Sequence, residues 1–202
     1  MKLTIGFVGM THLGLIYSLA SAYKNFKTFA YEDDPNLINS LRKKQFPIKE
    51  PELIKTFEKC KKYLNFTYNA KDLKSCNIVF FSYDVPTDNS GKSNLSFIEK
   101  KIDETISKLN KKAIFVILCQ VTPGFTRKVN WPTDQKFYQV ETLVFGEAIK
   151  RAIFPERIIV GCESKKITKS YENFLKSFNC PILKMNYESA ELTKISINIC
   201  LI

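Results

Sequence analysis

The first 35 residues constrain this chain more than any other stretch. Leu3 to Val8 is an apolar run of strand length that ends in Gly9-Met10-Thr11-His12-Leu13-Gly14. Leu15 to Tyr23 continues in small and apolar residues over a helix length. Lys27 to Tyr31 reads as a second strand and closes on Glu32-Asp33-Asp34-Pro35. Strand, glycine turn, helix, strand and acid in that order describe a crossover unit, in which two parallel strands are joined by a helix lying on one face of their sheet.

The same alternation runs on. Helices are expected at Asn36 to Lys44, Glu52 to Lys62, Ser96 to Leu109, Phe145 to Ala152, Thr168 to Phe178, and from Ser189 onward. Strands are expected at Leu64 to Tyr68, Asn77 to Tyr83, Ala113 to Cys119, Phe137 to Val140, Arg157 to Gly161 and Ile182 to Met185. The strands Asn77 to Tyr83 and Ala113 to Cys119 are continuous apolar runs, as strands buried on both faces must be. The expected class is α/β, a Rossmann-like doubly wound, mainly parallel sheet with helices on both faces. No internal repeat or low-complexity tract interrupts it.

Composition narrows the function. No apolar run approaches the roughly 18–20 residues of a membrane-spanning helix, and the N-terminus has no long apolar h-region, so no membrane partner and a cytoplasmic protein are expected. The net charge is +11. Its lysines are scattered as pairs, Lys43-Lys44, Lys61-Lys62, Lys111-Lys112 and Lys165-Lys166, with acids nearby and no aromatic-interleaved stripe. That is a solvated surface rather than a nucleic-acid face, though it can help capture phosphates. Six cysteines at 60, 76, 119, 162, 180 and 200 form no C-x-x-C pair, and one histidine, His12, is too few for a zinc set; reduced packing cysteines and no metal are expected.

The glycine turn carries chemistry. The dinucleotide fingerprint is G-x-G-x-x-G with an acid about 20 residues on. Here Gly9 and Gly14 are the outer glycines, Thr11 stands at the middle one, and Glu32 follows Gly9 by 23 residues. A helix N-terminus offers N–H groups and partial positive charge to a pyrophosphate. The Glu32 carboxylate can accept both ribose hydroxyls and repels the extra phosphate of NADP, with Asp33 and Asp34 adding to that repulsion, so NAD is the expected cofactor. His12 is expected beside it as a helix-start residue. From these residues alone, a turn that binds nothing stays open.

Further segments extend the match. The chain resembles, along its whole length, the N-terminal half of the UDP-glucose/GDP-mannose dehydrogenase family, which oxidises the C6 alcohol of a nucleotide sugar to a carboxylate with two NAD. The family's opening G-x-G-Y-V-G-L is similar to Gly9 to Leu15, its D-x-D-P to Glu32-Asp33-Asp34-Pro35, and its P-I-x-E-P-G-L to Pro47-Ile48-Lys49-Glu50-Pro51-Glu52-Leu53. Its T-P-T resembles Val85-Pro86-Thr87, and its K-S-T-V-P-V-G-T-T resembles Leu118 to Thr126. Its P-E-F-L-x-E-G resembles Val140 to Gly146, and its S-A-E-L-x-K-x-x-x-N resembles Ser189 to Asn198.

The resemblance implies roles. Lys194 and Asn198, at i and i+4, would stabilise the oxyanion at the oxidised carbon, and Glu141 would assist water attack or proton transfer. Gly9, Met10, Thr11, His12, Leu13, Gly14, Glu32, Val85, Pro86, Thr87 and Gln120 would bind the cofactor, with Glu50 and Pro51 near its mouth. The departures are Gln120 for a threonine and Phe145 for the segment's second glutamate. The family's nucleophilic cysteine lies in a later domain, and none of the six cysteines matches it. The expected organisation is an NAD-binding domain over 1–185 and the start of an interdomain helix over 186–202, cut before the substrate domain. Such a piece binds NAD without completing turnover on a UDP-glucose-like substrate, and its full-length form is a homodimer. The alternative is a divergent, catalytically inactive member with a binding or scaffold role.

Overall fold

The computed structural model describes residues 3–89, 91, 93–164 and 166–200. Among them eight strands form one sheet in the order β3-β2-β1-β4-β5-β6-β7-β8. These are β1 (Thr4–Val8), β2 (Lys27–Tyr31), β3 (Leu64–Thr67), β4 (Ile78–Phe81), β5 (Ile114–Ile117), β6 (Lys136–Gln139), β7 (Ile158–Gly161) and β8 (Ile182–Met185). Every neighbouring pair is parallel except β6 and β7. The strand order reverses direction between β1 and β4, which opens a crevice at their carboxyl ends.

Period-2 alternation divides the strands between two apolar layers. Ile5, Phe7 and Phe80 face one layer with α1 (His12–Tyr23), α2 (Pro35–Arg42), α3 (Leu53–Cys60), α7 (Ala148–Ile153) and α8 (Lys169–Lys176). Val8, Phe81 and Phe115 face the other with α4 (Ala70–Lys74), α5 (Leu95–Ser107), α6 (Phe125–Lys128) and α9 (Tyr187–Cys200). The rings of Phe7 and Phe80 stack at 4.8 Å between centroids across the β1–β4 pair, directly beneath the crevice.

The doubly wound class is the one expected, and β2 and β8 have the expected bounds. Helix α1 begins three residues earlier than its apolar pattern suggests, so His12, Leu13 and Gly14 form its first turn. The short helices α4 and α6 were not expected. The final helix is present as α9; Leu201 and Ile202, its expected end, lie outside the described residues, as does Lys165 of the fourth lysine pair. Among the described residues no disulfide forms: Cys60, Cys76, Cys119 and Cys162 are buried, Cys180 is half-buried and Cys200 exposed. Among the described residues no helix is long and apolar enough to cross a membrane, and no group of ligating side chains could hold a metal ion.

The layering predicts a contrast. Phe80 is 1% exposed and Leu192 is 53% exposed. Phe80→Ala is expected to cost about 3–5 kcal/mol in urea unfolding, and Leu192→Ala less than about 0.5 kcal/mol.

Candidate active site

The turn after β1 is shaped by what cannot fit there. Gly9 has φ +96, and a Cβ on it would lie 2.8 Å from the Tyr83 ring. A Cβ on Gly14 would lie 1.9 Å from the Gly9 carbonyl oxygen and 2.5 Å from the Ser82 hydroxyl. The outer glycines are therefore required, one by backbone conformation and the other by how closely α1 approaches β1 and β4. Thr11 takes the middle position without strain because its backbone is extended (φ −75, ψ −173). Its hydroxyl donates to the Ser82 carbonyl at 3.0 Å. The cradle thus fits a pyrophosphate at the start of α1.

Glu32 stands at the end of β2 with its carboxylate already oriented. Oε2 accepts from the Met10 N–H at 2.9 Å; Oε1 accepts from the Asp33 N–H and from the Tyr83 hydroxyl, both at 2.9 Å. A carboxylate has about four acceptor positions, so room remains for a ribose hydroxyl. The other two acids differ from expectation. Asp33 is engaged by Lys108 at 2.9 Å, Lys101 at 3.3 Å and the Tyr31 hydroxyl. Burial alone would raise its pKa, but those hydrogen bonds and lysine charges bring it down to about 2. Asp34 caps α2 by accepting from the Asn36 N–H. Repulsion of a 2′-phosphate therefore rests on Glu32, because the charge of Asp33 is compensated and Asp34 is spent on the helix.

A cleft of about 460 Å³ continues from the start of α1 toward β5 and β6. His12, Leu13, Val85, Thr87, Gln120, Glu141, Lys194 and Asn198 line it, together with Tyr83, Asp84, Cys119 and Phe145. Gly9, Met10, Thr11, Gly14 and Glu32 stand behind or beyond it, and Pro86 is spent on the loop, where its carbonyl accepts from the Asn94 N–H at 2.7 Å.

At the inner end a polar chain crosses three elements. The Lys194 ammonium contacts the Glu141 carboxylate at 2.5 Å and donates to Asn198 Oδ1 at 2.9 Å; Asn198 Nδ2 donates to Gln120 Oε1 at 2.5 Å. The other Glu141 oxygen accepts from the Leu143 N–H. Lys194 and Asn198 do share one face of α9, as their spacing requires. A buried ammonium beside an amide can stabilise a developing alkoxide, and a carboxylate in contact with it can take or return a proton. Cys119 reaches this cleft, but burial pushes its thiol well above the usual range, so it presents no thiolate.

Sequence reasoning missed three residues that build this arrangement, Tyr83, Glu191 and Asp84, and placed Glu50 near the mouth without its partners. Tyr83 holds Glu32. Glu191, fully buried on α9, accepts from the Gly124 and Thr126 N–H groups at 2.5 and 2.7 Å and so ties the helix bearing Lys194 to the start of α6. Glu50 accepts from His12 Nε2 at 2.9 Å and from the Gly146 N–H, closing the mouth, where the His12 ring lies 4.6 Å from that of Phe145. Asp84 stands on the cleft wall. Glu191 and Glu50 were visible within quoted motifs, but their partners lie far away in sequence.

A dinucleotide turn at the switch point of a doubly wound sheet, with a lysine–carboxylate–amide cluster at the far end of its cleft, defines the class: an NAD-binding oxidoreductase domain. The chain belongs to the UDP-glucose/GDP-mannose dehydrogenase family, whose NAD-binding domain model matches residues 3–179. NAD is accordingly the cofactor, and the chain is a nucleotide-sugar dehydrogenase NAD-binding domain. It is 28% identical to a UDP-glucose 6-dehydrogenase of Rickettsia bellii over 89% of this chain and 43% of that one. The fold matches a UDP-D-ManNAc dehydrogenase from Pyrococcus horikoshii (TM-score 0.87, 21% identity, 98% of this chain and 50% of that one). It also matches a GDP-mannose dehydrogenase from Pseudomonas aeruginosa (TM-score 0.84, 20% identity, 100% and 50%). The chain thus spans less than half the length of the Rickettsia relative and half that of each solved structure.

The cluster can be tested by a double-mutant cycle. Lys194 and Glu141 are both largely buried, so Lys194→Ala, which strands the carboxylate, is expected to destabilise by about 3 kcal/mol. Lys194→Ala combined with Glu141→Ala should cost less than the sum of the single changes by about 1–3 kcal/mol in denaturant unfolding. Simple additivity would show that the two groups are not coupled.

Proposed function

We propose that this chain is the cofactor-binding portion of a nucleotide-sugar 6-dehydrogenase of the UDP-glucose to UDP-glucuronate type, acting in the cytoplasm. Residues 1–185 form the NAD-binding unit, and 186–202 begin the helix that leads toward the substrate-binding part. The observation that carries this reading is the Glu141–Lys194–Asn198–Gln120 chain, set across one cleft from a dinucleotide turn. NAD held in this cleft would supply the hydride acceptor for the C6 carbon. Lys194 and Asn198 stabilise negative charge on the C6 oxygen, and Glu141, held against Lys194, takes up or returns the proton. Gln120, in the place of a threonine, holds the Asn198 amide in line. Glu32 binds the adenosine ribose. The product class follows from an alcohol taken through an aldehyde to a carboxylate in two oxidations, the second of which needs a thiolate. Cys119, protonated and buried, does not supply it, so the 202 residues bind cofactor without turning over, and the full-length form is a homodimer.

The reading of an inactive scaffold draws on Thr11, Gln120 and Phe145. Each has a place: Thr11 is unstrained, Gln120 joins the polar chain, and Phe145 packs on His12. These placements favour retained catalytic geometry.

Calorimetric titration of the chain with NAD tests the proposal. Binding is expected, and Glu32→Ala should weaken it about 10–100-fold through loss of charge-assisted hydrogen bonds to the ribose. Tyr83→Phe should weaken it by a smaller factor of about five, the worth of one orienting hydrogen bond. No heat at millimolar NAD would remove the cofactor role, and oxidation of UDP-glucose by the isolated chain at an ordinary enzymatic rate would refute its dependence on further residues.

A further inference from the structure

Asp84 stands three residues beyond β4, at the crevice where the strand order reverses, and lines the same cleft as Glu141, Lys194 and Asn198. The other carboxylates around the cleft are committed. Glu141 has Lys194, Glu50 has His12 and the Gly146 N–H, and Asp33 has two lysines. Asp84 lies close to the Thr11 side chain and, among the described residues, has no lysine or arginine in ion-pair contact. Thr11 is the residue immediately before α1, where the pyrophosphate is to be held.

A fixed negative charge beside a phosphate cradle is costly unless the ligand brings hydrogen-bond donors to it. A dinucleotide has such donors in two places, the diols of its two riboses, on either side of the pyrophosphate. Glu32, touching the turn through the Met10 N–H, serves the adenosine side. Asp84 lines the cleft that runs from the start of α1 to the Lys194 cluster, which is the path of the other half. We infer that Asp84 is the acceptor for the hydroxyls of the second ribose, the one that bears the nicotinamide. This rests on NAD being the cofactor, and it adds a binding residue to the cleft.

The electrostatic surroundings agree. As a residue Asp84 is exposed at the rim, but its carboxyl group is desolvated. That burial raises its pKa and the nearby Glu141 adds to the effect, while Thr11 and His12 pull it back down. The charged form is thus short of donors, and a ribose diol supplies two. A phosphate at the same spot would be repelled by both Asp84 and Glu141.

ADP lacks the second ribose and ADP-ribose has it, so the pair isolates the contact. Titration of the chain with ADP, ADP-ribose and NAD is expected to show ADP-ribose and NAD weakened about tenfold by Asp84→Ala, the worth of one charge-assisted hydrogen bond. ADP should bind as before or slightly better, because a charge near its phosphates has gone. Asp84→Asn, which keeps the size and one acceptor oxygen, should fall between, and it replaces the alanine variant if thermal unfolding shows that one to be misfolded. Equal weakening of all three ligands, or no weakening of ADP-ribose, overturns the inference. If the unmodified chain binds ADP and ADP-ribose equally, it is overturned as well. If the unmodified chain binds none of the three, the cofactor assignment falls first and takes this inference with it, an outcome distinct from selective insensitivity of Asp84.

Discussion

The closeness of α1 to the carboxyl ends of β1 and β4 governs the rest of the molecule. At Gly14 there is no space for one methyl group, since an added Cβ would sit 1.9 Å from the Gly9 carbonyl oxygen. Ser82, buried between the two strands, hydrogen-bonds the Val8 and Gly9 carbonyls at 2.9 and 3.0 Å and fixes the turn from the β4 side. This contact aims the start of α1 at the crevice, brings Tyr83 over Gly9 and within reach of Glu32, and sets the wall from which Asp84 projects. A larger residue at position 14 would lift the helix and disturb all of these at once.

The elements legible in the sequence are those whose signal is local. β4 and β5 show themselves as unbroken apolar runs because both faces of the sheet are covered, and β2 is bounded by its own polar ends. Helix α6 was not legible because what stabilises it comes from elsewhere. It is four residues long, starts after Gly124 at φ +88, and has its first N–H groups capped by Glu191, 65 to 67 residues later. Helix α4, five residues capped by Asn69, is too short for any periodicity to show. The early start of α1 has a similar cause: Thr11 and His12 are poor helix signals, but their positions follow from the turn.

For the site, residue types and spacing identified both ends but not what holds them. The i, i+4 spacing of Lys194 and Asn198 indicated a shared helical face; that the face is turned toward Glu141 depends on α9 packing against β6 and β7 through Tyr187 and Ala190 and on the Glu191 tether. Glu32 was recognisable by distance from Gly9, whereas its clamp by Tyr83 spans 51 residues and its neighbour's neutralisation by Lys101 and Lys108 spans 68 and 75. Charge counting along the sequence therefore overstated the negative potential there, because lysines from α5 and its end return to the same corner.

Two of the departures from the family's motifs meet in space. His12 occupies a motif tyrosine's place in the turn and Phe145 a glutamate's place in the loop after β6, and the two rings lie 4.6 Å apart. Glu50, whose side chain is 1% exposed, bonds both His12 and the backbone beside Phe145, so the altered positions share one buried carboxylate. Gln120, another departure, meets Asn198, a residue that is retained. Random decay after loss of function would scatter changes without regard to contact. Here two of the replacements, His12 and Phe145, meet at the mouth of the cleft, and the ammonium, carboxylate and amide at its base keep their partners. That pattern supports the proposal of a retained cofactor site over that of an inactive scaffold.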